Sequence, residues 1–278
     1  PFVRGYAWRH RRPAAALVLV HGLQSHAQWF AEAGEALLER GVAVYAVDRR
    51  GSGSSRAVRG DVERYADWYG ELDSVVRLAR AEYPAAPVHL VGHCFGANVA
   101  LGYALTGSAG AAAVRSIVML TPGLYVRPDY SPAQKLRILA AGLLAPGAWF
   151  PVPQEDDLFT RDSEVLAWIG ADSGGARTLT ARCLLQINRM VKDLRRRAGE
   201  LTVPVLVLEA ARDRLSHNSR NRALLSRALG DRCSWREFDA EHFLLAEPCR
   251  DDVVQTLVGW VAEQTERTER AERKEDRQ

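Results

Sequence analysis

A cysteine stands at the centre of the pattern Gly92-His-Cys94-Phe-Gly96, which follows an apolar run and precedes an alanine-rich segment. The apolar run predicts a strand and the alanine-rich segment predicts a helix, so Cys94 is expected at a sharp, strained turn between the two. Glycine is favoured on both sides of such a turn because a side chain there would collide with neighbouring backbone. The pattern is a nucleophile elbow with cysteine where serine is usual, and its chemistry is attack of a thiolate on an acyl carbon.

The segment His21-Gly22-Leu23 ends another apolar run of strand character, residues 15–20. A flexible loop at this position places backbone N–H groups beside the elbow. The predicted oxyanion hole therefore consists of the N–H of Phe95, which follows the nucleophile, and the N–H of Leu23. His21 is interpreted as a brace for this loop.

An acid and a base follow later in the chain. Asp213 lies in the loop after a predicted strand at residues 203–208, and His242 follows a last strand near residues 234–238. We predict that His242 accepts the thiol proton and that Asp213 orients and charge-balances the imidazole.

Alternatives remain open for each of these roles. Asp239 lies shortly before His242 and is the second candidate for the acid, while His217 and His93 are the rival histidines, although neither follows the last strand. Cys94 itself could be a small apolar filler, or an engineered replacement of a serine that traps an intermediate.

The chain resembles the α/β-hydrolase superfamily, and within it the monoacylglycerol-lipase-like branch of serine aminopeptidase S33 type. The resemblance covers nearly the whole chain, and it implies an esterase or lipase that acts on acylglycerols and related esters and needs no cofactor. The order nucleophile, acid, histidine is that of this superfamily; the departure is Cys94. The supporting segments are Val20-His-Gly-Leu-Gln-Ser-His26, Val44-Tyr-Ala-Val-Asp48-Arg-Arg-Gly-Ser-Gly-Ser-Ser55, Gly92-His-Cys-Phe-Gly96, Asp213 and His242.

Strands and helices alternate along the chain, which predicts an α/β fold with a mainly parallel sheet covered by helices on both faces. The predicted strands not yet given are residues 2–8, 42–47 and 116–120, besides the apolar run before Cys94. The predicted helices are residues 29–40, 62–83, 131–144, 163–169 and 176–197.

The expected organisation is an α/β-hydrolase core at residues 1–123 and 201–264, interrupted by a helical cap at residues 124–200, with a charged tail at residues 265–278. The resemblance places the cap after the sixth core strand, over the nucleophile. The tail is expected to be a frayed, solvated extension, because it is dense in Glu, Arg and Lys.

A cap over the nucleophile would supply the apolar side chains of an acyl pocket. The same side chains could equally pack the cap against the core. The candidates for substrate binding are Leu143, Trp149, Phe150 and Trp168, and the large apolar residues Leu144 and Phe159 belong to the same group.

The composition favours one enzyme-sized domain, since 278 residues with 47% hydrophobic content can bury a substantial core. With 37 basic and 34 acidic residues interleaved, no basic stripe indicates nucleic-acid binding. The four cysteines show neither paired nor metal-like spacing, so a reduced, cytoplasmic location is expected. No apolar stretch reaches the ~18 residues that span a bilayer, so stable membrane insertion is not expected.

The sequence thus predicts a hydrolase of a lipophilic ester or thioester that acts through an acyl-Cys94 intermediate. The acyl donor is a small molecule or a carrier-bound acyl group. One alternative is an acyltransferase or cyclase that passes the acyl group to an amine, alcohol or thiol. The other is a ligand-binding protein that keeps the hydrolase fold without catalysis, against which the complete set of competent residues argues.

Overall fold

The computed structural model describes residues 4–275. Residues 2 and 3 of the first predicted strand and the last three residues of the predicted tail lie outside the described residues. The elements before the insertion are β1 (Arg4–Trp8), β2 (Ala15–Val20), a 3-10 turn (Ala27–Phe30), α1 (Ala31–Glu39), β3 (Val42–Asp48), α2 (Ala66–Glu82), β4 (Val88–His93), α3 (Phe95–Ala104) and β5 (Val114–Leu120).

An insertion of helices and two short strands follows β5. Its elements are α4 (Pro132–Leu144), β6 (Trp149–Pro151), α5 (Ser163–Ala171), β7 (Thr178–Thr180) and α6 (Ala181–Arg197). The chain then completes the core with β8 (Val205–Ala210), α7 (Asn218–Leu229), β9 (Cys233–Phe238) and α8 (Arg250–Glu275).

The main sheet has seven strands in the order β1-β3-β2-β4-β5-β8-β9. All neighbouring pairs are parallel except β1 with β3. Strands β2, β3, β4 and β8 are buried along their whole length, which explains their continuous apolar runs: a central parallel strand is covered on both faces. Helices α2 and α3 pack on one face, and α1 and α8 on the other. The predicted mainly parallel sheet with helices on both faces is confirmed.

Three expectations about the elements need correction. The insertion follows the fifth strand in the chain's own order, not the sixth, because the described residues contain only five strands before it. Residues 178–180 form β7, paired antiparallel with β6, where the sequence predicted the start of a helix. A strand of three residues is too short to show an alternating pattern, so its pairing partner decides its conformation. The tail was expected to be frayed, but α8 continues through residues 265–275 without a break and ends at Glu275.

The elbow dictates how α3 is packed against the sheet. Cys94 has φ 53° and ψ −115°, a backbone conformation that L-residues rarely adopt. A Cβ at Gly96 would lie 1.9 Å from the carbonyl oxygen of Val20, and one at Gly92 would lie 2.4 Å from the backbone of Ala97. Both glycines of the motif are therefore required by close approach of backbone, as the sequence predicts.

Among the described residues, none of the helices combines the length and the apolar character that crossing a bilayer requires.

The close approach at Gly96 makes a matched pair of substitutions informative. We expect Gly96→Ala to lower the free energy of unfolding by at least ~3 kcal/mol, because backbone must move to admit the new carbon. Gly70 lies in α2, and no atom lies within 4 Å of a Cβ built there, so Gly70→Ala should raise stability by ~0.5–1 kcal/mol. Urea denaturation followed by circular dichroism measures both; equal stabilities of the two variants would contradict the packing described.

Candidate active site

Cys94 lies at the carboxyl end of β4, where the chain turns into α3. Its backbone N–H donates to the carbonyl of Leu120 at 2.8 Å, which ties the turn to the end of β5. The residue is only 3% exposed, and it lines the floor of a large cavity. A thiol is thus presented at the carboxyl edge of the parallel sheet, shielded from bulk water.

His242 and Asp213 form a buried pair. The Nδ1–H of His242 donates to Oδ2 of Asp213 at 2.8 Å, and neither side chain is exposed to solvent. The other carboxylate oxygen of Asp213 accepts the backbone N–H groups of Leu215 and Ser216 at 2.8 and 2.7 Å. These two hydrogen bonds fix the carboxylate so that it holds the imidazole in one tautomer and one orientation.

The electrostatic surroundings favour the protonated imidazole. Burial lowers the pKa of His242, but the charge and the hydrogen bond of Asp213, together with the influence of the nearby Cys94, outweigh burial and raise that pKa to about 10. The Nε2 atom of His242 is buried without a well-formed hydrogen bond in the described part of the chain. Cys94 is thus close enough to influence His242, and Nε2 is available to exchange a proton with it.

The structure separates the predicted residues from their rivals. Asp239 is an exposed residue with an 86% exposed side chain that pairs with Arg212, so it does not contact His242. His217 precedes α7, where its ring lies 3.2 Å from the hydroxyl of Ser219. The ring of His93 is 5.1 Å from that of His242, and burial holds the pKa of His93 well below its usual value, so it stays neutral.

The two predicted oxyanion donors flank Cys94. Phe95 is the first residue of α3, where a backbone N–H has no acceptor within the helix. Leu23 lines the same cavity as Cys94 and Phe95, and its N–H donates no hydrogen bond within residues 4–275. The arrangement can accept a negatively charged oxygen at the cavity floor.

Arg49 is a buried residue of this site that the sequence did not single out. Its Nη2 donates to the carbonyl of Gly22 at 2.5 Å, and its guanidinium lies 4.9 Å from the centre of the Phe95 ring. The Nδ1–H of His21 donates to the same carbonyl at 2.8 Å, which agrees with the bracing role predicted for His21. The Gly22 carbonyl and the Leu23 N–H belong to one peptide group, so these donors fix the direction of that N–H and polarise it.

The charge of Arg49 is not neutralised by a direct partner. Among the described carboxylates, none forms an ion pair with its guanidinium, which is 2% exposed. Burial lowers the pKa of Arg49 to about 10, but the group remains a cation at neutral pH. Asp48, the residue before Arg49, accepts the N–H groups of Ala27 and Ser54 at 2.8 Å each and so fixes the turn that carries Arg49.

The loop that carries His242 is fastened to the insertion. The N–H of Phe243 donates to the carbonyl of Phe159 at 2.8 Å, and the Phe159 ring meets the His242 ring edge-on at 5.8 Å. The hydroxyl of Thr160 donates to Glu247 at 2.7 Å. Residues 159 and 160 of the insertion therefore help to hold the loop of His242 in place.

Above Cys94 is a cavity of about 730 Å³, a size that suits a drug-sized or lipid-sized ligand. Its floor is formed by core residues, and its walls by α4, α6 and the segment after β5. The floor consists of Leu23, Cys94, Phe95, Asn98 and Gly123, and the apolar wall includes Ile138, Leu139, Leu143, Val152, Leu184, Leu185, Ile187 and Val191.

Of the four residues predicted to bind substrate, only Leu143 lines this cavity. Trp149 and Phe150 lie in β6 and do not line the cavity, and Trp149 packs beside Gly60. Trp168 packs against Trp29 with ring centres 5.2 Å apart. The prediction was wrong for these three because it used size and apolarity alone, whereas the cavity wall is made by the facing sides of α4 and α6. Among the described residues, no group of His, Cys, Asp and Glu side chains could hold a metal ion.

Comparison with known proteins assigns a family and a fold to this chain. Residues 11–248 match the family described as "Serine aminopeptidase, S33". The monoacylglycerol lipase of Mycolicibacterium smegmatis is 27% identical over 255 residues, which cover 90% of this chain and 88% of that protein. Phospholipase YtpA of Bacillus subtilis is 23% identical, over 89% of this chain and 95% of that protein. The crystal structure of Paleococcus ferrophilus monoacylglycerol lipase superposes with a TM-score of 0.80 at 20% identity, covering 95% and 100% of the two chains, and shows the same fold.

The raised pKa of His242 can be tested without a substrate. In the wild-type protein we expect the imidazole of His242 to titrate clearly above its ordinary value of 6.5. Asp213→Asn should lower that midpoint, because the strongest influence that raises the pKa is lost while burial persists. Nuclear magnetic resonance of 13C-labelled histidine measures both midpoints, with His242→Gln to assign the signal. An unchanged midpoint in Asp213→Asn would show that the pair is not the source of the shift.

Proposed function

The chain belongs to the serine aminopeptidase S33 family within the α/β-hydrolases, and from that premise we propose that it is an esterase or thioesterase that cleaves lipophilic acyl substrates through Cys94. The observation that carries the proposal is the position of Cys94 on the elbow at the cavity floor, beside the buried His242–Asp213 pair. Relatives named as lipases and a phospholipase support an acyl lipid as the substrate. The insertion at residues 124–200 serves in this proposal as a cap that forms the acyl pocket.

The reaction proceeds in two acyl transfers. The thiol proton of Cys94 passes to Nε2 of His242, and sulfur attacks the carbonyl carbon while the N–H groups of Leu23 and Phe95 hold the oxyanion. The bond to the leaving alcohol or thiol breaks, and His242 returns the proton to it. Water then attacks the acyl-Cys94 thioester with His242 as base, which releases the acid and restores the thiol.

Throughout both steps Asp213 holds the imidazole and stabilises its protonated form. The raised pKa of His242 suits a sulfur nucleophile, because a thiolate and an imidazolium are stable side by side. A serine in the same place would have to lose its proton during the attack.

A second candidate function is acyl transfer, which Cys94 itself favours. A thioester reacts more readily with amines and thiols than an oxyester does, and Cys94 is only 3% exposed. An amine, alcohol or thiol that enters the cavity would then receive the acyl group in place of water. The acyl donor in either case is a small molecule or an acyl group on a carrier.

Intact-protein mass spectrometry tests this function directly. During incubation with matched decanoyl oxyesters and thioesters, we expect an acyl adduct on Cys94 that decays as free acid appears. An adduct that persists until an amine, alcohol or thiol is added would assign the protein to acyl transfer. Absence of any adduct and any turnover would contradict the proposal and favour a ligand-binding role.

Two substitutions of Cys94 define the nucleophile. Cys94→Ala should reduce turnover by at least ~10³-fold while thermal denaturation stays near that of the wild type, since a buried thiol is replaced by a methyl group. Cys94→Ser should retain the fold and lower thioester cleavage. Higher ester hydrolysis by Cys94→Ser than by the wild type would instead identify the cysteine as a replacement in a serine hydrolase.

Arg49 acts in this proposal as a positioning residue behind the oxyanion hole. We expect Arg49→Met to lower kcat about tenfold and to leave KM within about twofold, because a less polarised Leu23 N–H binds the oxyanion less well than before. Arg49→Lys should recover part of kcat, since an ammonium group can also donate to the Gly22 carbonyl.

The matched control is Arg50→Met. Arg50 pairs with Glu71 at 2.6 Å and with Asp67 at 3.1 Å and makes no contact with the Gly22 carbonyl. Its removal should lower stability and leave kcat unchanged. Steady-state kinetics that give the same kcat for Arg49→Met and Arg50→Met would remove Arg49 from the mechanism.

A further inference from the structure

One side of the cavity above Cys94 is strongly basic. Its lining includes five cationic side chains and one carboxylate: Lys135, Arg189, Lys192, Arg195, Arg220 and Asp129. Lys135 pairs with Asp129, so these two charges cancel. The other four cationic side chains line the same cavity as the apolar wall described above.

Helix α6 separates its charges by face. Arg189, Lys192 and Arg195 follow one another at intervals of three residues, which places them along one side of the helix, and all three line the cavity. Arg196 and Arg197 do not line the cavity; both pair with Asp193, at 3.2 and 3.3 Å. Within the described part of the chain, no carboxylate pairs with Arg189 or Lys192. The helix therefore neutralises its charges on one side and leaves them free on the side that faces the cavity.

Two guanidinium groups are held together at this basic side by one aromatic ring. The Arg195 guanidinium lies 3.8 Å from the centre of the Tyr125 ring, and that of Arg220 lies 4.2 Å from it. Arg195 also donates to the carbonyl of Leu124 at 3.0 Å. Burial and the charge of Arg220 disfavour the charged form of Arg195 and lower its pKa. Two like charges brought together in this way attract an anion.

The apolar part of the lining comes mainly from α4 and the first half of α6, whereas the basic side chains of α6 lie in its second half. This apolar part includes Ile138, Leu139, Leu184 and Leu185, and it has no charged side chain except Lys135 with its partner. A ligand that fills the cavity thus meets hydrocarbon along α4 and the start of α6, the thiol of Cys94 at the floor and basic side chains toward the end of α6. This sequence of surfaces matches an acyl chain, a scissile carbonyl and an anionic leaving group.

We propose that the natural substrate is an acyl ester or thioester whose leaving group carries a phosphate, held by Arg189, Lys192, Arg195 and Arg220. This inference rests on the proposed acyl chemistry at Cys94. The acyl C–O or C–S bond breaks, the phosphorylated alcohol or thiol leaves intact with a proton from His242, and the phosphate itself is not cleaved. A phosphate with two or three exposed oxygens accepts charge-assisted hydrogen bonds from several guanidinium groups at once.

The experiment compares matched substrates that differ in the phosphate, each below its critical micelle concentration. The oxyester pair is decanoyl glycerol and decanoyl glycerol phosphate; the thioester pair is S-decanoyl N-acetylcysteamine and S-decanoyl phosphopantetheine. We expect kcat/KM to be about tenfold higher for the phosphate-bearing member, mainly through a lower KM, and the advantage to shrink as salt is added. The pair that shows the larger preference identifies the source of the phosphate as a glycerolipid or a pantetheine arm.

The double variant Arg189→Gln/Lys192→Gln tests the assignment. Neither side chain has another polar contact in the described structure, so the fold should not change. We expect the phosphate preference, which is the ratio of kcat/KM for the phosphate-bearing member to that for the neutral member, to fall to about twofold. Arg196→Gln, on the other side of α6, is the matched control and should keep the wild-type preference. A preference that is near unity in the wild type, or unchanged in the double variant, overturns the proposal.

A binding measurement separates this proposal from the acyl chemistry. Decyl glycerol ether and its phosphate cannot be hydrolysed, so calorimetric titration reports the basic side of the cavity whether or not Cys94 reacts. Tighter binding of the phosphate, by about tenfold and lost in the double variant, supports the site even if no ester is cleaved. Equal binding of the two ethers overturns the site while leaving the esterase function in place.

Discussion

The closest backbone approach in the site, between the first turn of α3 and the end of β2, is the constraint on which the rest depends. Because Gly96 has no side chain, α3 can begin against the Val20 carbonyl, and Cys94 is forced into its left-handed conformation at the same point. The helix start then presents the Phe95 N–H beside the Leu23 peptide. A single packing contact thus sets the positions of the Cys94 thiol and of the Phe95 N–H at the cavity floor.

Two groups of buried charges lie near that contact, the His242–Asp213 pair and the guanidinium of Arg49. His242 and Asp213 form a buried charged pair on one side of Cys94. Arg49 supplies a buried positive charge that donates to the Gly22 carbonyl and so polarises the Leu23 N–H of the same peptide group. In the mechanism that we propose, this fixed peptide dipole favours the negative charge that develops on the substrate oxygen during attack.

The core and the elbow could be predicted from the sequence because their signals are local. Residues 15–20 were predicted as a strand with the bounds that β2 has, since a strand buried on both faces reads as an uninterrupted apolar run. The spacing Gly92-x-Cys94-x-Gly96 states a backbone requirement within five residues. Trp149, Phe150 and Trp168 could not be placed in this way: short elements of the insertion take their orientation from the partners on which they dock. The role of Arg49 could not be predicted either, because it depends on a hydrogen bond to the Gly22 carbonyl, 27 positions away in the chain.

The contacts of Phe159 and Thr160 limit which parts of the insertion can be exchanged to change the substrate range of such an enzyme. Exchange of the insertion between relatives is an obvious route to new specificity, by natural recombination or in a designed chimera. Here residues 159 and 160 are bonded to the loop of His242 and to Glu247, so a crossover that replaces the insertion as one block would also remove a support of the histidine. The exchangeable portions are instead α4 with its flanking loops and the cavity-facing positions of α6, which alter the walls without disturbing the base. Variation in substrate range should therefore accumulate on those two helices, while the stretch between them changes slowly.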